Sequence, residues 1–387
     1  MISRIANADP SLDISTTPEQ PKRALLVGAG HAHLYTLKRA EEFARRGYEL
    51  VVVAPDRFWY SGLATGVLGG RYAPEEDQVD VSALMQAGGA SCRFIRDRLV
   101  SLDPAARTAS FQSGARYSYD VLSLNLGSEV RPFPGETEGV FSIKPLRNLW
   151  TLRQELEAAR ADGIKPRVVI AGGGASGCEI AANVRALLGR NGGEITILAR
   201  GERIVPSFPE RIARRLSRWL RRREIQVCAG EAVASVESHI AVTERGERIA
   251  FDFLLNATGL RPPDVLRELG QDITAAGELV VDEFLRSTSD PRIFGGGDCI
   301  AMRGHELAKI GVYAVCEAPV LFHNLLATLD QEPLREFRPQ RHFLLILNLG
   351  GGVGLARWRG LHWFGRAAFW LKDAIDRRFL ARYRDAS

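Results

Sequence analysis

The stretch RVVIAGGGASGCEIAANVRALLGRNGGEITILAR, Arg167 to Arg200, does most to limit what this chain can fold into. An apolar run, a glycine turn, a longer apolar-periodic run and a second apolar run read as strand, turn, helix and parallel strand. Gly172, Gly174 and Gly177 follow the spacing G-x-G-x-x-G. In that spacing the first glycine permits the tight turn, the second lets the main chain approach a pyrophosphate, and the third lets helix and strand pack closely.

A weaker copy lies earlier, in LLVGAGHAHLYTLKR, Leu25 to Arg39, where His33 takes the place of the third glycine after Gly28 and Gly30. Arg23 to Gly28 and Tyr48 to Val53 read as buried strands around a helix from about Ala32 to Arg46. Two further segments, Tyr119 to Gly135 and Phe251 to Leu266, each run from an acidic residue through an apolar strand into a glycine turn and prolines, and each is expected to close its own nucleotide fold. RIFGGGDCIA, Arg292 to Ala301, then leads into an apolar helix, Gly311 to Leu329, expected to be interrupted at Pro319. The last part reads as a β-hairpin around Gly350 to Gly352 and a basic amphipathic helix.

At 387 residues, 45% hydrophobic and 25% charged, the chain has the makings of a soluble protein of two or three domains. Met1 to Lys22 lacks the apolar core of a signal peptide and is expected to be a tail on a cytoplasmic protein. No window reaches the roughly 18 apolar residues of a membrane span; the best, Phe343 to Ala356, is short and contains Asn348 and three glycines. Cys92, Cys178, Cys228, Cys299 and Cys316 form no closely spaced pair, which argues against a disulfide framework, a redox dithiol or a thiolate metal cluster, and no metal site is indicated.

Four signatures in order, GAGHAH, GGGASGCE, NATG and GGGDC, resemble the two-dinucleotide-domain flavoproteins of the pyridine nucleotide–disulfide oxidoreductase superfamily, with type II NADH:quinone oxidoreductases the nearer likeness. The turn GHAH, YSGLATGVLGGRY, KIGVYAV and LKDAIDRRFLARY are also similar to the flavoprotein module found with selenide, water dikinase. The resemblance implies an α/β fold with two Rossmann-like domains, an FAD domain carrying an inserted NAD(P) domain, plus the C-terminal hairpin and amphipathic helix. Its expected boundaries are a tail over 1–21, the FAD domain over 22–140 and 267–340, the NAD(P) domain over 141–266, and an interface or membrane-associating region over 341–387.

On the same resemblance, the turn at Gly28, Gly30 and His33 holds FAD, with His33 costing helix packing rather than phosphate contact. Asp298 binds the ribityl or pyrophosphate region of the flavin, and Gly127, Gly259 and Gly297 stand in the accompanying turns. Gly172, Gly174 and Gly177 hold NAD(P)H. The activity implied is hydride transfer from NAD(P)H through FAD to a quinone-type acceptor. The alternative is an accessory flavoprotein of selenium or sulfur metabolism, including activity like that of a sulfide:quinone oxidoreductase, with a different donor or partner.

Both units depart from the acidic residue that usually ends the second strand and binds a ribose 2′-OH. In the first, Ala54 stands there and Asp56 lies two residues on, suited either to the ribose or to capping a turn. In the second, Ala199 is followed by Arg200, suited to a 2′-phosphate or simply to solvent. Glu179, on the opening turn of its helix, is expected near the nicotinamide or as a first-turn complement to the helix dipole. Lys309 is a candidate to offset negative charge on flavin or quinone, or else a surface lysine; Cys316 is expected to be a buried structural residue.

The net charge of +5 is concentrated late, since Ala356 to Ser387 holds eight Arg/Lys against three Asp. There Phe364, Ala368, Leu371, Ile375 and Phe379 form one helical stripe, with Trp363, Ala367, Trp370 and Ala374 beside it. Aromatic residues flanked by arginine suit an anionic membrane surface; docking on the chain's own sheet or on a second subunit to make a homodimer is the competing use. No groove-reading motif indicates nucleic acid. A location in the cytoplasm, on the inner face of the cell membrane, fits these readings.

Overall fold

The computed structural model describes residues 20–55 and 57–384. Most of the expected tail, and Asp56, lie outside the described residues.

Two five-stranded parallel sheets organise the chain. The first has the spatial order Ile293–Gly295, Val121–Leu124, Arg23–Val27, Glu49–Ala54, Cys92–Arg96. The second runs Val140–Ser142, Phe253–Asn256, Arg167–Ala171, Glu194–Ala199, Ile225–Ala229. In each, the strand that opens into a glycine turn lies at the centre, flanked by its βαβ partner and by the strand expected to close that fold. Leu25, Leu26, Val51, Val52, Ile170 and Ile197 are completely buried, because parallel strands covered on both faces need continuous apolar runs.

The helix expected over Ala32–Arg46 is two short helices, Leu34–Lys38 and Ala40–Arg45. Arg39 leaves helical angles between them, its N–H bonding three residues back to Thr36, and its guanidinium lies over the Tyr35 ring. Pro319, in contrast, does not interrupt its helix, which runs unbroken from Gly311 to Asp330. Packing of Leu321 and Leu325 in the core outweighs one missing hydrogen bond. Against the expectation that no segment reaches the length of a membrane span, this helix is long and apolar enough to cross a membrane by length and composition, and over half of it is buried inside the protein.

The C-terminal hairpin is a three-stranded antiparallel meander, Leu345–Asn348, Gly354–Trp358 and Leu361–Gly365, followed by the helix Arg366–Arg384. Trp363 and Phe364 therefore belong to a strand, not to the helical stripe. The helix buries Ala368, Phe369, Asp376, Phe379 and Leu380, and exposes Trp370, Leu371 and Ile375. Its buried side docks on the first unit: Tyr60 donates to Asp376 at 2.8 Å, Tyr72 to Asp373 at 2.6 Å, and Arg377 to Glu76 at 3.0 Å. Leu347 and Leu355 of the meander join the core of the second unit, so the C-terminal region packs against both.

Beneath this helix Asp77 is fully buried, and among the described residues neither carboxylate oxygen has a hydrogen-bond partner. Burial, reinforced by Asp376, pushes its carboxyl up to about 9. The folded state thus retains a proton that the unfolded chain releases near the usual carboxylate value, so stability falls as pH rises between those two values and the penalty is complete above about 9. Asp77→Asn is expected to raise stability by roughly a few kcal/mol at pH 8 and by little near pH 4. Denaturant melts at the two pH values check this; equal shifts at both would show that the carboxyl does not titrate as described.

Candidate active site

The two glycine turns are built alike. A Cβ on Gly28 would stand 2.1 Å from the Asn125 carbonyl oxygen, and one on Gly172 would stand 2.5 Å from that of Ala257, so each turn presses on the strand that closes its sheet. Both glycines have positive φ, +91° and +128°. Gly177 performs the third task of the motif, since a Cβ there would meet the Gly172 carbonyl at 1.9 Å.

His33 solves the same problem differently. Its buried Nδ1 lies 2.6 Å from the Gly28 carbonyl, the counterpart of the Gly172 carbonyl that Gly177 abuts, and Nε2 lies 2.8 Å from Ser123 Oγ. A carbonyl only accepts, so Nδ1 carries the proton and Nε2 accepts from the serine hydroxyl. Burial pulls the imidazole down to about 4, keeping it neutral. His33 therefore ties turn to strand from inside the fold and is not on the cavity wall.

Between the two units lies a cavity of about 1340 Å³. Gly172, Gly173 and Gly174 border it, and a Cβ on Gly174 would meet nothing within 4 Å. Gly174 caps the helix Ala175–Leu188 without any side-chain hydrogen bond, leaving N–H groups at its start for an anion. That is the environment a nucleotide pyrophosphate requires, and it fits NAD(P)H.

Elsewhere on the wall stand Asp298, Lys144 and His31. Ser128 donates to Asp298 at 2.7 Å, and the nearby Asn125 Oδ1 is buried with no partner among the described residues. Gly297 has φ +76°, with its N–H donated to Glu317 at 2.6 Å. Burial pulls His31 down to about 4, helped by the Lys144 ammonium, and burial also lowers Lys144. A neutral imidazole, a half-buried cation and a carboxylate on the wall are a donor and acceptor set suited to a flavin dinucleotide.

Glu179 also lines the cavity, and burial raises its carboxyl to about 7 against the opposing pull of Lys372 and the Asn348 N–H, which donates at 2.5 Å. Lys372 and Asp376 reach this wall from the C-terminal helix; the ammonium donates to Asp376 and to the Gly62 carbonyl, each at 2.7 Å. Phe379 completes the wall, stacked on Tyr60 with centroids 4.7 Å apart.

The cavity wall thus gathers Gly172, Gly174, Glu179, Arg200, Gly259, Asp298 and Lys309 from the sequence-based candidates. Gly28, Gly30, His33, Gly127, Gly177 and Gly297 lie off it, the first three and Gly177 shaping the turns. Lys309 is engaged by Glu278 and the Ile300 carbonyl, both at 2.6 Å, so its charge is already compensated. Cys316, expected to be buried, is exposed on the cavity wall; Cys178 and Cys299 are the buried ones. His31, Lys144, Tyr60, Lys372 and Asp376 were not singled out in the sequence. Lys372 and Asp376 stand four residues apart on one helix.

The model of the family described as pyridine nucleotide-disulphide oxidoreductase matches residues 22–314. The chain belongs to this family. Among curated relatives, the NADH dehydrogenase-like protein YutJ of Bacillus subtilis is 26% identical over 370 residues, covering 92% of this chain and 97% of the relative. The alternative NAD(P)H-ubiquinone oxidoreductase C1 of Arabidopsis thaliana is 26% identical over 386 residues, covering 87% and 72%. The sulfide:quinone oxidoreductase of Aquifex aeolicus shares the fold, with a TM-score of 0.79, 18% identity and coverage of 95% and 92%. In this pyridine nucleotide-disulphide oxidoreductase, one of the two glycine turns, Gly172–Gly174, borders the cavity between the two units.

Proposed function

We propose that this chain is an FAD-dependent oxidoreductase that takes a hydride from NAD(P)H and passes electrons to a quinone-type acceptor. The observation that carries this reading is the continuity of one cavity from the nucleotide turn Gly172–Gly174 to Asp298 and the start of the helix at Gly311. When bound, the flavin supplies the two-electron chemistry between nicotinamide and quinone. Gly174 and the helix N-terminus would hold the nucleotide pyrophosphate; Asp298, His31 and Lys144 would hold the flavin.

Quinone reduction to quinol consumes one proton from solution beyond the hydride. Glu179, which lines the cavity with its carboxyl near 7 and Lys372 within electrostatic reach, is the candidate to hold that proton. The names of the curated relatives support this over an accessory module. A two-cysteine sulfur relay finds no support, because among the described residues Cys316 is the one cysteine on the cavity wall. The test is NADH oxidation by the purified yellow protein, which should depend on added quinone.

The C-terminal helix suits a second role in this reading, at a membrane surface. Its inner side is committed to the protein, while Trp370 is 65% exposed, Ile375 44% and Leu371 39%, and Ile375 also borders the cavity. An acceptor dissolved in lipid would enter beside these side chains. Deleting the helix would open the cavity itself, so the informative change is Trp370→Ala with Leu371→Ala. Binding to anionic vesicles is expected to weaken about tenfold or more, and turnover with long-chain quinones to fall with it, while water-soluble quinones are reduced as before. Unchanged vesicle binding would remove the membrane role and leave the enzyme reading standing.

A further inference from the structure

Where the second strand of the NAD(P)-type unit ends, Ala199 and Arg200 occupy the place at which a carboxylate ordinarily receives the adenosine ribose. The fold brings a carboxylate there from another element. Glu244 sits in the turn between the antiparallel strands Ile240–Thr243 and Arg248–Ala250, and its Oε1 accepts from Arg200 Nη2 at 2.6 Å. Both side chains line the cavity, together with Ala199, Gly201, Ala232 and Val233.

The turn is fastened. The Glu244 N–H donates to the Ala232 carbonyl at 2.8 Å, Gly246 N–H returns to Thr243 at 2.9 Å, and Thr243 Oγ1 accepts from the N–H groups of Arg245 and Glu247. Nearby charges are also accounted for: Arg245 faces Glu231 at 3.6 Å, and Arg203, on the cavity wall, donates to the Pro206 carbonyl.

We infer that Glu244 replaces the missing strand-end carboxylate and selects NADH over NADPH, and that Arg200 positions it. This rests on the nucleotide reading above. A carboxylate accepts a hydrogen bond from a 2′-OH and repels a 2′-phosphate. The Arg200 guanidinium, which alone would favour the phosphate, is occupied by Glu244. Removing the carboxylate leaves Arg200 free to face a 2′-phosphate, which a planar guanidinium binds well.

The test is calorimetric binding of NAD⁺ and NADP⁺ to the flavin-loaded full chain, oxidised nucleotides being used so that no turnover intervenes. The wild-type protein should bind NAD⁺ more tightly. Glu244→Gln should shift the NAD⁺/NADP⁺ affinity ratio toward NADP⁺ by about tenfold or more, and adding Arg200→Ala should reverse the gain in NADP⁺ affinity. The ratio of kcat/KM for NADH and NADPH should move in parallel. A wild-type preference for NADP⁺, or a ratio that Glu244→Gln moves by less than about twofold, overturns the assignment. Loss of both nucleotides from the wild-type protein would overturn the nucleotide reading itself.

Discussion

Glu179→Gln is expected to slow NADH-driven quinone reduction by about a hundredfold and to flatten its dependence on pH near neutrality. The wild-type carboxyl, raised by burial to about 7, is protonated below that value and charged above it. A step that takes its proton from Glu179 therefore slows as pH rises through about 7. Glutamine preserves the shape of the side chain and keeps an oxygen for the Asn348 N–H, so the fold survives while the transferable proton is lost. Steady-state rates from pH 6 to 9 for both proteins check this; a variant that keeps the wild-type slope would show that the proton comes from elsewhere.

Gly28→Val is expected to abolish flavin retention and to destabilise the first unit by roughly 3 kcal/mol or more. Two independent costs meet at this position. The backbone stands at φ +91°, which a β-branched residue adopts only under strain, and the new Cβ would lie 2.1 Å from a main-chain oxygen of Asn125 that cannot swing aside. Gly47, with φ +75° and nothing within 4 Å of its Cβ position, gives the control: Gly47→Ala bears only the backbone strain and should keep its flavin. Flavin content after gel filtration, with a thermal melt, separates the two. Equal flavin content in the two variants would mean that contact with Asn125 is not what the turn requires.

Much of this architecture is legible in the sequence because glycine spacing and apolar runs are local signals. The strands at Arg23–Val27, Glu49–Ala54, Arg167–Ala171 and Glu194–Ala199 follow from them directly. What escapes is whatever depends on a distant partner. Arg200 reads equally as a receptor for a 2′-phosphate or as a solvated side chain, and its partner Glu244 lies 44 residues later. Lys309 reads as a free cation until Glu278 is seen beside it.

Helix breaks show the same limit in both directions. Arg39 breaks a helix with no glycine or proline to announce it, while Pro319 leaves one intact because the surrounding core holds it. The exposure of Leu371 and Ile375 is likewise tertiary: the helix turns Phe369 and Asp376 inward instead, toward Tyr60 and the first unit's core. His33 is the instructive case at the site, since what looks like a defect in a glycine motif is a buried imidazole bonding the turn carbonyl.

Anaerobic titration of the purified flavoprotein tests most directly whether one cavity carries electrons from a nicotinamide nucleotide to a quinone. Stoichiometric NADH should bleach the flavin's visible absorbance, and a stoichiometric water-soluble quinone should restore it. A flavin that neither NADH nor NADPH bleaches, or that stays bleached when quinone is added, would contradict the account.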